Sequence, residues 1–225
     1  MSTNGISSTR RREFLSQLGV ATATLIGSGS VTPLLAERVN APEAAAPTWD
    51  MSWVDKIAKA TYKVAFDATV IDGGIALDHA AMILDQFHDV YNTPDEQTAV
   101  VVVMRQLGTA MGFSDSLWAR YPLKVKDGPD EPAPGKNPYW KIRPGADAAS
   151  STQLERLTQR GVIVLVCNNA TTNIARSMAH ETGKNADEVV DDFRRNLIPG
   201  AFLMPSGVFA MIRAQNAGCA FMRAS

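Results

Sequence analysis

The residues best suited to carry out chemistry in this chain stand at the end of a short apolar run, in residues 161–170 (GVIVLVCNNA). Five consecutive apolar residues, 162–166, predict a strand that is buried on both faces. Cys167 ends this strand, and Asn168 and Asn169 follow it. Ligands of open parallel sheets bind outside the carboxyl ends of the strands, beside helix N-termini. A thiol in that position can act as a nucleophile.

Two interpretations of Cys167 stay open at the level of sequence. A helix that starts just beyond the sulfur would favour the thiolate, which is the nucleophilic form and the form that accepts sulfane sulfur. Free cysteine is also among the residues that are most often fully buried, so Cys167 is alternatively a small packed apolar side chain. Access of solvent to the sulfur separates these two interpretations.

Other polar residues are expected near the same sheet edge. Arg105 leaves a second predicted strand at its carboxyl end, where it could bind a ligand anion together with backbone N–H groups near Asn168 and Asn169. A solvated or interface ion pair is the alternative for Arg105. Ser206 follows a short strand and lacks the glycine and the histidine of a nucleophile elbow, so it is a helix N-cap or a ligand-binding hydroxyl.

The remaining candidate side chains receive structural interpretations. Cys219 begins the last predicted strand and is predicted to pack in the core without a disulfide to Cys167, because the two thiols lie at opposite ends of parallel strands. Asp67 is interpreted as a carboxylate that accepts loop N–H groups. No metal site and no cofactor are predicted, because the three histidines lack a metal-binding spacing and no glycine cluster has the dinucleotide pattern; these histidines are His79, His88 and His180.

The alternation of apolar runs and helical patterns predicts an α/β, three-layer flavodoxin-like fold with a mainly parallel five-stranded sheet. The predicted strands are residues 62–69, 98–104, 162–167, 201–204 and 219–223, and the predicted helices are residues 77–91, 114–121, 151–160, 172–179, 186–196 and 206–216. Residues 47–225 are expected to form one domain. A proline-rich insertion at about residues 122–147 is predicted between two helices. Trp118 and Trp140 flank it and are predicted to pack in the core or at oligomer contacts, with a role in shaping a pocket as the alternative.

The first 46 residues are predicted to be an export signal followed by a flexible lead-in. Arg11 and Arg12 form a twin arginine ahead of Phe14 and Leu15, and a weakly apolar run follows at residues 18–29. This arrangement is similar to a twin-arginine (Tat) signal, which predicts a periplasmic protein that meets the Tat translocase during export. A disordered basic tail is the alternative. The run is too short and polar for a membrane span, so the mature form is expected to have none.

Charge and composition exclude some classes of protein. The chain has a formal net charge of −1 over 225 residues, which gives no electrostatic basis for binding nucleic acid. Removing residues 1–46 changes the net charge only to −2. With 45% apolar and 20% charged residues, the composition is typical of a globular domain.

Several segments of the chain resemble the DsrE/DsrF-like family, and within it the branch that bears export signals. The similar segments are residues 103–105 (VMR), 114–121 (SDSLWARY), 137–139 (NPY), 154–167, 197–200 (LIPG), 204–208 (MPSGV) and 214–221 (AQNAGCAF). The resemblance implies a flavodoxin-like domain that associates into dimers, trimers or hexamers.

The resemblance also gives Cys167 a specific role. Sulfur-relay members of the family carry a persulfide on a cysteine at the matching strand end, which implies that Cys167 handles sulfane sulfur, with Arg105 and the turn at Asn168 and Asn169 stabilising anionic sulfur. Those relays are cytoplasmic, whereas this chain bears an export signal. The second hypothesis is therefore a non-catalytic, oligomeric periplasmic protein that holds a small ligand or a metal beneath the proline-rich insertion.

Overall fold

A computed structural model of the chain describes residues 49–123, 135–142, 144–145, 147 and 151–224. All of these residues belong to one compact unit. The predicted export signal in residues 1–46 lies outside the described part, as do residues 124–134 of the proline-rich insertion.

The core of the unit is a five-stranded sheet with the strand order β4-β3-β2-β1-β5. All four strand pairings are parallel, so the predicted parallel sheet is confirmed. The central strand β2 is buried along its whole length, because its continuous β-branched run, TAVVVVM, suits a strand that is covered on both faces. The strands are β1 (Tyr62–Ala68), β2 (Thr98–Met104), β3 (Ile163–Cys167), β4 (Phe202–Met204) and β5 (Ala220–Arg223).

Seven α-helices accompany the sheet in the described part of the chain. They are α1 (Trp53–Lys59), α2 (Ile75–Tyr91), α3 (Asp115–Arg120), α4 (Leu154–Gln159), α5 (Asn168–Thr182), α6 (Ala186–Arg195) and α7 (Gly207–Asn216). The short helix α1 was not predicted from the sequence. Helix α5 begins at Asn168 and not at residue 172, so β3 passes into α5 without a loop. Asparagine has a low intrinsic helix propensity, which the local contacts of Asn168 override.

Each face of the sheet is covered by its own apolar cluster. Alternate strand residues such as Val164 and Val166 face the larger cluster, which includes residues of α2, α4, α5 and α6. Ile163 and Leu165 face the smaller cluster, which includes residues of α1 and α7. Helices therefore cover both faces, and the fold is a three-layer α/β fold of the flavodoxin-like kind.

The distribution of helices defines a switch point between β3 and β4. The chain leaves β3 into α5, which packs on the larger cluster, whereas it leaves β4 into α7, which packs on the smaller cluster on the opposite face. Neighbouring strands whose following helices diverge in this way leave a crevice outside their carboxyl ends, and this crevice is where open α/β sheets bind ligands. Cys167 ends β3 beside this crevice.

The described end of the proline-rich insertion packs against the domain. The side-chain amide of Asn137 donates hydrogen bonds to the carbonyl oxygens of Met111 (2.8 Å) and Phe113 (2.7 Å). Trp140 and Trp118 are both buried in the larger cluster, and the Trp118 indole N–H donates to the carbonyl oxygen of Ala110. The two tryptophans are therefore core residues, as predicted, and do not shape a pocket.

In the part of the chain that the structure describes, every helix is too short or too polar to cross a lipid bilayer.

Gly108 lies where the segment after β2 crosses the segment after β1. A Cβ atom at Gly108 would overlap the backbone carbonyl oxygen of Ala68, which cannot rotate away. We therefore expect Gly108→Ala to lower the free energy of unfolding by about 2 to 3 kcal/mol, measured by urea denaturation. Gly73 is the control, since it has open space around it and only a positive φ of 62°, and Gly73→Ala should cost about 1 kcal/mol. Equal losses in the two variants would contradict the steric argument.

Candidate functional site

The chemistry-bearing side chains lie in one row along the carboxyl edge of the sheet. Met104 is paired with Ala68 on one side and with Val166 on the other. Arg105 therefore follows β2 at the level where Cys167 ends β3, and Asp67 lies near the end of β1. This row brings a thiol, a guanidinium and a carboxylate to the edge where the switch point opens.

Cys167 is buried in an unusual way. It is 6% exposed, yet among the buried apolar residues of the described chain it alone belongs to neither apolar cluster. Its sulfur caps the 15-residue helix α5, because Sγ accepts a hydrogen bond from the backbone N–H of Ala170 at 3.4 Å. The sulfur therefore occupies the positive end of a helix, where a negative charge is stabilised. A packed core thiol would contact apolar side chains instead.

Arg105 is held by a carboxylate. Its Nε and Nη2 donate hydrogen bonds to the two carboxylate oxygens of Asp67 at 2.6 and 2.7 Å. The hydrogen bond to Asp67 is the main cause of a raised pKa of Arg105, and attraction to the charge of Asp67, and to the Cys167 sulfur when it is ionised, adds smaller contributions. The expectation that Asp67 accepts loop N–H groups with its side chain is corrected, since that side chain accepts the guanidinium. Arg105 is thus an ion-paired residue beside the thiol.

The stem of Arg105 also fixes the start of α7. A Cβ atom at Gly207 would lie 2.6 Å from Cβ of Arg105, so only glycine allows this approach. Ser206, one residue earlier, is the N-cap of α7: its Oγ accepts a hydrogen bond from the N–H of Phe209 at 3.1 Å. The predicted N-cap role of Ser206 is confirmed.

The two asparagines after Cys167 are helical, which corrects the expected turn. Asn168 is half-buried, and its Oδ1 accepts a hydrogen bond from Nε of Arg194 at 2.8 Å. Asn169 is exposed on the first turn of α5. The anion-binding group expected from Arg105 and both asparagines is therefore divided, because Arg105 is paired with Asp67 while Asn168 is engaged by Arg194.

Arg194 is a residue that the sequence did not single out. Its Nε and Nη2 donate to the neutral oxygens of Asn168 and Thr172, and its nearest recorded carboxylate oxygen, on Asp191, is 3.9 Å away. Arg195 has the same local sequence environment, so the pattern could not distinguish the two. The distinguishing contacts come from Asn168 and Thr172 of α5, which lie 26 and 22 residues earlier in the chain.

Arg194 and Asn168 line a cavity of about 480 Å³ beside the edge strand β4. The other lining residues are Trp49, Asp50, Ala201, Phe202 and Leu203. Asp50 is exposed, and hydrogen bonds from Ser52 hold the pKa of its carboxyl below the ordinary value. The cavity therefore combines an aromatic and aliphatic wall with one cation and one anion.

Cys219 contrasts with Cys167. It packs in the smaller apolar cluster, and burial raises the pKa of its thiol to about 11. Both cysteines are free, in agreement with the predicted absence of a disulfide. Strands β1 and β2 lie between β3, which ends at Cys167, and β5, which begins one residue after Cys219. The predicted packed role of Cys219 is confirmed.

The histidines are spread over two helices. His88 and His180 are exposed, and His79 lies against the ring of Phe66 with centroids 6.0 Å apart. Within the described ranges, no group of three or more His, Cys, Asp or Glu side chains is placed to hold a metal ion.

Comparisons with known proteins give little beyond the fold. No family model matches the chain, and no curated protein matches it. One solved structure is similar, a protein of unknown function, MTH1491, from Methanobacterium thermoautotrophicum, with 18% identity, a TM-score of 0.39 and coverage of 72% of this chain and 98% of that chain. The fold and the site together describe a three-layer α/β domain with a helix-capping thiol beside its switch point.

The pairing of Arg105 with the buried Asp67 makes a clear prediction for stability. Arg105→Met leaves a carboxylate that is 7% exposed without its cation, so we expect a loss of about 2 to 3 kcal/mol in the free energy of unfolding, because the partial exposure of Arg105 moderates the cost of an unpaired buried charge. The double variant with Asp67→Asn should recover part of this loss in urea denaturation. Strictly additive losses would show that the pair is not coupled.

The raised pKa of Cys219 predicts a dependence of stability on alkaline pH. A thiol whose pKa rises from 9.0 to about 11 on folding stabilises the native state fully below pH 9, and this contribution disappears as the pH rises towards 11. We expect Cys219→Ala to lose less stability than the wild type between pH 8.5 and about 10.5, measured by urea denaturation. An unchanged slope in Cys219→Ala would contradict this expectation.

Proposed function

We propose that this chain is an exported, DsrE-like protein that carries sulfane sulfur as a persulfide on Cys167. The observation that carries the proposal is the hydrogen bond from the N–H of Ala170 to Sγ of Cys167, at the N-terminus of α5. A helix N-terminus stabilises anionic sulfur, which is the reactive form of a thiol and of a persulfide. The position of Cys167 outside both apolar clusters supports a chemical role over a packing role.

The proposed step is a transfer of one sulfur atom between thiols. The Cys167 thiolate attacks the outer sulfur of a donor persulfide, R–S–SH, and a new S–S bond forms at Cys167. The bond between the two donor sulfurs breaks, and its electron pair leaves on the inner sulfur as R–S⁻. The products are Cys167–S–SH and the thiolate of the donor, so no external oxidant or reductant is needed.

Arg105 supports this step from the neighbouring strand. Two of its five N–H donors are committed to Asp67, which leaves three that can contact anionic sulfur. Asp67 holds the guanidinium in place and balances its charge, so the site is not strongly cationic. In this arrangement Arg105 is a positioning residue for the sulfur anion.

Export and oligomerisation belong to the same proposal. The twin arginine in the sequence supports delivery to the periplasm by the Tat pathway. Assembly of several copies is supported by exposed apolar side chains on α7 and on the edge strand β5, namely Val208, Ile212, Phe221 and Met222.

Non-catalytic ligand binding is the second candidate. The cavity beside β4 favours it, because its volume is in the range of small-molecule sites. The earlier hypothesis located the ligand beneath the proline-rich insertion, much of which lies outside the described residues. Sulfur uptake by Cys167 separates the two candidates.

Mass spectrometry after incubation with inorganic polysulfide tests the persulfide. The wild-type protein should gain increments of about 32 Da, one sulfur atom each, which a reducing agent removes. Cys167→Ser should gain none, and Cys219→Ser, the matched control, should gain as much as the wild type because Cys219 is packed in the core. Equal uptake by the Cys167→Ser variant would eliminate Cys167 as the carrier and favour the binding protein.

A further inference from the structure

The low exposure of Cys167 limits the kind of molecule that can exchange sulfur with it. Only 6% of the residue is accessible, and the start of α7 is fixed close by through the contact of Gly207 with Arg105. A cysteine on the surface of another folded protein would have to bring its backbone to this crevice. A small molecule needs only a cavity that leads to it.

The cavity beside β4 is adjacent to Cys167 in the fold. Asn168, which lines the cavity, follows Cys167 directly in the chain. Leu203, which also lines the cavity, is paired with Val166, and Met204 is paired with Cys167 itself. A ligand between Asn168 and Leu203 therefore lies beside the end of β3.

Arg194 supplies the positive charge that lines this cavity. Its side chain is positioned by hydrogen bonds to neutral oxygens and not by a hydrogen bond to a carboxylate. Arg105 is paired with Asp67, Arg120 with Asp192, and Arg160 with both Asp85 and Asp95. The guanidinium of Arg194 is instead oriented by an amide oxygen and a hydroxyl oxygen, and the carboxylate of Asp191 lies 3.9 Å away, beyond hydrogen-bond distance. The planar guanidinium can donate two parallel hydrogen bonds to a carboxylate, and its positive charge can pair with the carboxylate of a ligand.

The rest of the lining restricts the ligand further. Trp49, Phe202 and Leu203 are half-buried apolar side chains that an inorganic anion would leave without a partner. Asp50 adds a negative charge that would repel a dianion and attract an ammonium group. A cation and an anion above an apolar wall match the carboxylate, the ammonium and the carbon chain of an amino acid.

We propose that this cavity binds the zwitterionic amino-acid group of a small thiol, so that the sulfur partner of Cys167 is a cysteine-type amino acid or short-peptide persulfide and not another protein. Arg194 receives the carboxylate, Asp50 receives the ammonium group, and the thiol end extends past Asn168 towards Cys167. The volume of about 480 Å³ is larger than one amino acid requires, which leaves room for a dipeptide or tripeptide. This inference rests on the proposed persulfide role for its chemistry, but its binding step can be measured separately.

Calorimetry with an unreactive probe tests the binding step in the full chain. S-methyl-L-cysteine should bind, and Arg194→Met should weaken its binding at least about tenfold, as expected for a lost hydrogen-bonded ion pair. Arg194→Lys should weaken it less, because the charge is kept while the fork is lost. The neighbouring Arg195→Met removes the same charge from an exposed site outside the cavity lining and should leave the affinity unchanged.

A second ligand separates the two charged contacts. 3-(Methylthio)propanoate has the carboxylate but no ammonium group, so Asp50→Asn should weaken the binding of S-methyl-L-cysteine and not that of the propanoate. Arg194→Met should weaken both ligands. If S-methyl-L-cysteine does not bind, or binds equally to the wild type and to Arg194→Met, the assignment of the cavity is overturned.

Sulfur loading distinguishes failure of this inference from failure of the persulfide proposal. Arg194→Met should slow loading of Cys167 from cysteine persulfide while leaving loading from inorganic polysulfide unchanged. Equal slowing with both donors would place Arg194 outside substrate recognition and overturn the inference alone. If Cys167 accepts sulfur from neither donor, the persulfide role fails and with it the assignment of a sulfur partner, even where calorimetry shows that the cavity binds amino acids.

Discussion

The direct passage from β3 into α5 is the constraint on which the rest of the site depends. Because no loop separates the strand from the helix, Cys167 is both the last residue of the strand and the cap of the helix. The same passage places Asn168 on the first turn of α5, where it engages Arg194 of α6. One local geometry therefore sets the position of the sulfur and of the cation in the neighbouring cavity.

Two different electrostatic arrangements flank Cys167. On the β2 side, Arg105 and Asp67 form a closed pair whose charges balance each other. On the β4 side, Arg194 is oriented by neutral oxygens and keeps its charge available. The first arrangement stabilises the sheet edge, since a buried carboxylate needs its cation. The second leaves the guanidinium of Arg194 without a hydrogen-bonded carboxylate at the edge of a cavity.

The sequence predicted the sheet well and the contacts of the site poorly, for physical reasons. A strand that is buried on both faces must be apolar throughout, so the continuous apolar runs of β2 and β3 can be recognised as buried strands from the sequence. The start of α5 was misplaced because asparagines carry weak helical signals and the capping atom is a sulfur. The pairing of Arg105 with Asp67 depends on the register between two strands 38 residues apart, which no local pattern encodes. The choice of Arg194 over Arg195 depends in the same way on which side of α6 faces α5.

The capping hydrogen bond of Cys167 also connects the covalent state of the sulfur to the order of a helix. The sulfur that accepts the Ala170 N–H is the atom that would be bonded to an added sulfur, and its acceptor strength depends on its charge. A substituted sulfur is a weaker acceptor than a thiolate, so a change in the covalent state of Cys167 alters how firmly the first turn of α5 is held. Asn168 lies in that turn, so the contact that orients Arg194 depends on how well the first turn of α5 is capped.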